Sequence, residues 1–515
     1  MRPIRLISGI LTVGVWTMAS RILGFARDVL IAGLIGPGIL MDAYVAAFRL
    51  PNLFRRFFGE GAFNAAFVPM FSKRLETKED PEGFASLALS GLGLVLLILT
   101  GLAMIFMPAL VYATAEGFFG DERFDITVDF ARVAFPYIVF ISLAALFSGV
   151  LNATGRFAAA AAAPVLLNIM LITAMSLAWY FGGSVANALI WTIPFAGVAQ
   201  LALVWKATAN TGLDIRLVRP RWTPEMARLV RIAIPAALAG GVVQINLLVG
   251  QIVASNTEKA VSWLYSADRL YQLPLGVVGI AVGIVLLPDL SRRLAEGDKE
   301  GARQAYSRSA EISLALTVPC AVALCAIPLP IVSVLFERGA FTTDDTAATA
   351  LAVAIYGLGL PAFVLQKTVQ PLFFAREDTK RPFRYAVVAM VVNAAIAVGL
   401  SYTIGWIAAA IAATLAGWAM LWLLMRGAAD FGDEAKLDQR CRERIWRIVV
   451  ASLIMGAVVL GLSVLMTPFF GIAGWRWLAL LVLIGLGAVS YFIAGRLLGA
   501  FQMAELKAAL RRGRA

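Results

Sequence analysis

Between Arg21 and Arg56 the chain places five arginines (Arg21, Arg27, Arg49, Arg55 and Arg56) and two aspartates (Asp28 and Asp42) inside segments that are otherwise apolar. A guanidinium is planar, stays charged at any physiological pH, and can hold two oxygens of a phosphate or carboxylate at once. One use of such charges is to pair with one another and hold the fold together. Counting Glu60, however, there are three acids against five arginines, so pairing leaves positive charge over. The sharper expectation is a cationic site for a phosphate-bearing ligand.

Spacing sharpens this further. Residues seven apart on a helix share a face and lie about 10 Å apart along its axis. Arg21 and Asp28 have that spacing, and so do Asp42, Arg49 and Arg56, giving two charged stripes. Pro51 removes a backbone donor inside the second stripe and predicts a kink or local opening there. The later run Ala267-Asp268-Arg269-Leu270-Tyr271-Gln272-Leu273-Pro274 repeats the theme, with Asp268 and Arg269 each one turn from Gln272. Asp129 and Arg132, three apart, are expected to form a local ion pair. Lys367, near Gln366 and Gln370, fits either a cavity or a snorkelling position.

The residue types exclude much else. The chain has no histidine, which removes the commonest general base and metal ligand. Cys320 and Cys325 lie in an apolar run and Cys441 in a basic connection, a pattern that reads as packing, with no metal site or cofactor. Nucleophile-elbow, P-loop and zinc-protease motifs are absent from the sequence, so no enzyme is expected. Uphill work would draw on an ion gradient or on the membrane potential, which supplies ~2.3 kcal/mol per charge per 100 mV.

The elements that must carry these charges are membrane helices. Of the 515 residues, 60% are hydrophobic and 15% charged, and apolar runs of about 20 residues, enough to cross a bilayer, recur along the chain. Six fall between residues 6 and 206, six between 225 and 426, and two at 445–467 and 475–499. The expectation is an all-α polytopic membrane protein with fourteen transmembrane helices. Thirty-two of the 44 Lys and Arg residues lie in connections on one side and four on the other; basic loops stay cytoplasmic, so both termini are expected inside. Eight cations remain within spans, and five of them belong to the Arg21–Arg56 stretch. An ionised side chain at that depth is expensive, roughly 2.5–3.5 kcal/mol on insertion scales, and usually faces a cavity or a partner.

An internal repeat organises the spans. Phe67-Val68-Pro69-Met70-Phe71-Ser72-Lys73-Arg74-Leu75 matches Leu286-Leu287-Pro288-Asp289-Leu290-Ser291-Arg292-Arg293-Leu294. A displacement by six spans preserves topology, which predicts two six-helix lobes in parallel repeat, 1–212 and 213–428, with a site between them. Residues 429–515, holding two further helices and a basic tail, fall outside the repeat.

The runs Ser20-Arg21-Ile22-Leu23-Gly24-Phe25-Ala26-Arg27-Asp28, Leu50-Pro51-Asn52-Leu53-Phe54-Arg55-Arg56, Glu60-Gly61-Ala62-Phe63 and Ala267-Asp268-Arg269-Leu270 resemble the MurJ/MviN-type lipid II flippases of the multidrug/oligosaccharidyl-lipid/polysaccharide exporter superfamily. The resemblance spans essentially the whole chain. It implies a monomeric two-lobed transporter of the bacterial inner membrane. By alternating access it would move lipid II, the undecaprenyl-diphosphate-linked cell-wall precursor, from the cytoplasmic to the periplasmic leaflet, among membrane lipids and cell-wall synthesis proteins. Family residues that matter match Arg21, Arg27, Asp42, Arg55 and Arg269, and the last two helices would hold the polyprenyl tail. Some relatives carry a glutamate where Gln272 stands, or an acid in the seventh span that holds sodium; here that span has no acid beyond Glu225, which favours the membrane potential as the drive. A drug or cation exporter of the same superfamily would instead need a cavity dominated by acids. A non-transporting scaffold for cell-wall enzymes would carry the arginines only as ballast for lipid headgroups.

Overall fold

In hydrocarbon a backbone must satisfy its own hydrogen bonds, and the long apolar runs accordingly fold as helices. The computed structural model describes residues 3–55, 62–472 and 474–501. Over these residues it contains helices α1 (Pro3–Leu34), α2 (Ile39–Arg55), α3 (Ala62–Thr77), α4 (Pro81–Ile105), α5 (Met107–Thr114), α6 (Glu122–Ala134), α7 (Tyr137–Ala153), α8 (Ala158–Tyr180), α9 (Val185–Ala209) and α10 (Pro224–Ser255). There follow α11 (Ala260–Ala295), α12 (Lys299–Ala326), α13 (Pro328–Phe336), α14 (Thr343–Phe374), α15 (Lys380–Ile404), α16 (Ala408–Ala428), α17 (Gln439–Leu465), α18 (Thr467–Phe470) and α19 (Trp475–Leu497). No strand occurs among the described residues. Nine stretches of them are long and apolar enough to cross a membrane.

Local chemistry sets the helix ends. Asp80, Asp121, Ser184, Thr223, Asp298 and Asp438 accept from backbone N–H groups of the first turns of α4, α6, α9, α10, α12 and α17. Thr342 and Asp345 form a reciprocal capping box at α14. Such caps satisfy donors that the helix itself cannot. Pro136 separates α6 from α7, so one apolar run becomes two helices.

The helices gather into two compact units, Met1–Ser262 with Arg338–Phe341, and Trp263–Glu337 with Thr342–Ala515. In the first unit α8 packs between α1 and α9, α7 lies against α9 and α3, and α2 lies against α6. The sequence repeat assigns α10 to the second lobe, yet α10 packs on α3 within the first unit. Two contacts far apart along it explain this. Near its start Arg74 pairs with Glu225 at 3.3 Å, and in its last turns Gln251 donates to the Thr114 carbonyl at 2.9 Å. The short segment Arg338–Phe341 joins the same unit because Ala340 N–H donates to the Gly33 carbonyl at 3.0 Å. Gly36 permits that approach: it has φ +71°, and a Cβ there would overlap the Ala340 backbone.

The second unit is built on α12, α14 and α16, with α15 against α16, α17 on α12 and α19 on α17. Ala451, Met455 and Val459 of α17 and Leu483, Tyr491 and Ala494 of α19 make a continuous apolar seam. Tyr491 donates its hydroxyl to the Ala315 carbonyl of α12 at 2.7 Å. Outward-facing Leu97, Ile105, Leu453, Leu481 and Phe492 are each at least half exposed, an apolar surface of the kind that lipid covers.

Candidate functional site

The charges carried by the apolar segments form separate clusters, each organised by a different helix pair. On α1, Arg27 donates through Nε and Nη2 to Asp28 Oδ1 at 3.1 and 2.8 Å, and through Nη1 to Asn168 Oδ1 on α8 at 2.9 Å. Asn168 in turn donates to the Ser20 carbonyl at 3.0 Å. Asp28 is buried, so its charge is held by a guanidinium and kept out of lipid. Arg21, two turns earlier and half-buried, makes no hydrogen bond or ion pair among the described residues. Arg21 and Asp28 thus share a face by spacing while having different company.

The second stripe lies on α2. Asp42 is fully buried. Its carboxylate accepts from Lys259 N–H and Ser262 N–H, both at 2.9 Å, and from the Ser262 hydroxyl, so it caps the first turn of α11. Arg123 Nη1 approaches it at 3.7 Å. Arg123 also donates to Asp121 Oδ2 through Nε and Nη2 at 2.9 and 2.6 Å and lies over the Phe118 ring at 4.5 Å. The segment carrying these residues is pressed against the end of α10. Gly117 N–H donates to Ser255 Oγ at 2.9 Å, and a Cβ at Gly117 would overlap the Asn256 backbone nitrogen.

Arg49, on the same face as Asp42, donates to the Leu247 carbonyl of α10 at 3.3 Å. Because α2 is one helix from Ile39 to Arg55, the seven-residue spacing puts Asp42 and Arg49 on one face, and they meet different partners there. Pro51 lies inside α2, which continues to Arg55. Beside it the Asn52 side chain donates to the Phe48 carbonyl at 3.0 Å and accepts from Arg55 Nε at 3.2 Å, so polar groups bracket the position where the backbone donor is missing. Arg56 and Glu60 lie outside the described residues.

In the second unit, α11 carries the remaining site residues. Arg269 lies over the Tyr265 ring, 4.4 Å from its centroid, and Gln272 donates to the Asp268 carboxylate one turn back. Between them Tyr271 packs on Tyr356 and Phe363 of α14 at centroid distances of 5.1 and 5.7 Å.

Some of this could not be read from sequence. Asn168, Arg123 and Ser262 are partners of the site and were not among the candidates. Asn168 and Ser262 carry the weak signal of a polar residue in an apolar run; Arg123 carries none beyond its neighbour Asp121. The expected pair Asp129–Arg132 is absent. Both side chains are exposed on α6, where a pair gains little over water. Among the described residues no cluster of acids and cysteines could hold a metal ion.

Arginines and buried carboxylates within otherwise apolar segments, on an all-helical scaffold with nine stretches long and apolar enough to cross a bilayer among the described residues, define a polytopic membrane protein with charged groups built into its helices. The family model for "Lipid II flippase MurJ" matches residues 31–477. The "Probable lipid II flippase MurJ" of Rhizobium tropici is 44% identical over 99% of this chain and 97% of its own length; that of Rhizobium meliloti (strain 1021) is 43% identical over 98% and 96%. A solved structure, "Lipid II flippase MurJ, inward closed conformation", superposes with a TM-score of 0.80 at 26% identity, covering 95% of this chain and 98% of that one. The chain belongs to the lipid II flippase MurJ family.

Proposed function

We propose that this chain moves lipid II, a polyprenyl-diphosphate glycopeptide, from the cytoplasmic to the periplasmic leaflet by alternating access, and that Arg21, Arg27, Arg49, Arg55, Arg56 and Arg269 provide the positive surface along which the diphosphate travels. Asp28, Asp42 and Gln272 position these cations and the helices that bear them. The observation that carries this reading is how the two carboxylates are used. Asp28 is held by Arg27 and Asp42 by the α11 amides and Arg123, while Arg21 stands without hydrogen bond or ion pair among the described residues. A drug or cation exporter would need the opposite balance.

The remaining assignments follow from the same reading. The stretch Lys380–Phe431 holds two helices; with α1, α2 plus α3, α10 and α11 added to the nine apolar stretches, the chain crosses the membrane fourteen times. Six crossings belong to each repeat (1–212 and 213–428), and 429–515 supplies the helix pair for the polyprenyl tail. The excess of basic connections puts both termini in the cytoplasm, with the protein monomeric in the bacterial inner membrane.

The test is depletion in cells lacking a redundant flippase, followed by measurement of lipid II exposed at the outer leaflet. Wild type restores exposure; Arg21→Ala, Arg55→Ala and Arg269→Ala, at equal abundance, do not. Exposure that survives depletion defeats the proposal, and rescue by all three variants would leave the chain a scaffold.

A further inference from the structure

Lys367 lies on α14, seven residues before its end at Phe374, about 10 Å along the axis. It is exposed, and its amine forms no hydrogen bond or ion pair among the described residues. Its neighbours in sequence face elsewhere. Gln366 donates to the Gly417 carbonyl of α16 at 2.8 Å, and Thr368 is buried and donates to the Leu365 carbonyl at 2.7 Å.

Helical geometry fixes the direction in which Lys367 leaves α14. Tyr356, Phe363 and Lys367 stand at i, i+7 and i+11, so they share a face, and the first two pack on Tyr271 of α11. The exposed apolar side chains of α14, Leu351 at 52% and Leu358 at 59%, lie on the opposite side, because nine residues from Leu358 to Lys367 make two and a half turns. An ammonium facing lipid at this depth would be unfavourable; this one is turned toward α11, the helix that bears Arg269 and Gln272. On α14, Lys367 therefore stands one turn from Phe363 of the aromatic cluster, while Arg269, two residues before Tyr271, leaves α11 on another side, over Tyr265.

We infer that Lys367 is a further binding residue for the transported headgroup, taking one of its anionic groups on the face that α14 shares with α11. This rests on the flippase reading above and extends it to a residue outside the arginine set. A lysine suits this role because its ammonium is a compact charge with three rotatable donors on a flexible stem. It can follow an anion through several positions where a guanidinium prefers one planar geometry.

Two measurements on the full-length protein in lipid vesicles test this. With Cys320, Cys325 and Cys441 replaced by alanine, Lys367→Cys is treated with a charged, membrane-impermeant thiol reagent, and Leu358→Cys serves as the lipid-side control. Lys367→Cys reacts and Leu358→Cys does not, and added lipid II slows the reaction about tenfold, the size expected for one charge-assisted contact. In a flipping assay Lys367→Gln lowers the rate by a similar factor and Lys367→Arg, which keeps the charge but not the flexible point donor, by less, with thermal stability unchanged in both. An unreactive thiol at 367, or one that reacts equally with and without lipid II, overturns the inference. If wild type flips lipid II and Lys367→Gln flips it equally well, this inference falls alone; if wild type does not flip lipid II, the functional reading falls and takes the inference with it.

Discussion

Two charged regions of this protein look alike in sequence and are built for different ends. At the start of α17, Arg444 and Glu311 form a buried ion pair between α17 and α12. Arg308 bridges Glu311 at 2.9 Å and Asp438 at 3.3 Å, and Asp438 N–H donates to Ser307 Oγ at 3.0 Å. Each acid there ties one helix to another. In the α1–α2 region, by contrast, Asp28 is matched mainly by its own neighbour Arg27, Asp42 is spent on capping α11, and Arg21 is left over. Charge that closes on itself fastens helices, and charge left open is available to a ligand. The fastening cluster holds α17, and through it α19, to α12.

Stability measurements on reconstituted protein would sharpen or break this contrast. Arg444→Ala takes from Glu311 its buried partner, leaving the more exposed Arg308, and should cost about 3 kcal/mol, read as a large fall in melting temperature and abundance; the double substitution Glu311→Leu with Arg444→Leu should recover most of it. Gly117→Ala should come next, at about 1–3 kcal/mol, because the new methyl group meets the Asn256 backbone. Ser90→Ala removes the hydroxyl that accepts from Val218 N–H at 2.8 Å and holds the connection after α9 against α4; the expected loss is about 0.5–1.5 kcal/mol, with faster amide exchange at Val218. Arg21→Ala should change stability least, within about 0.5 kcal/mol, while abolishing lipid II exposure. A melting temperature that falls as far for Arg21→Ala as for Arg444→Ala would erase the distinction between the two regions.

Particular residues show how far the sequence could be read. That Asp42 and Arg49 leave α2 on one face was legible, because a seven-residue spacing is a local property of any helix. So was the surplus of arginine over acid. The Asp129–Arg132 pair was expected from the same kind of spacing and is not made, since proximity on a solvent-exposed helix face does not by itself hold two side chains together. The helix pair within the stretch 122–153 shows another limit: an apolar run continues through Pro136, and hydropathy alone does not say that it divides there.

The sequence by itself determined the class of protein, the uneven distribution of its basic residues and which charges fall within otherwise apolar segments, because length, hydropathy and charge count are sums over neighbouring positions. Only the tertiary structure decided who meets whom. Asn168 reaches Arg27 across 141 positions and Ser262 reaches Asp42 across 220, and α10 packs with the first unit in spite of its place in the repeat. Such choices depend on helix packing between distant segments. No local spacing encodes them, and they settle which of the expensive charges are satisfied within the fold and which, like Arg21 and Lys367, remain open.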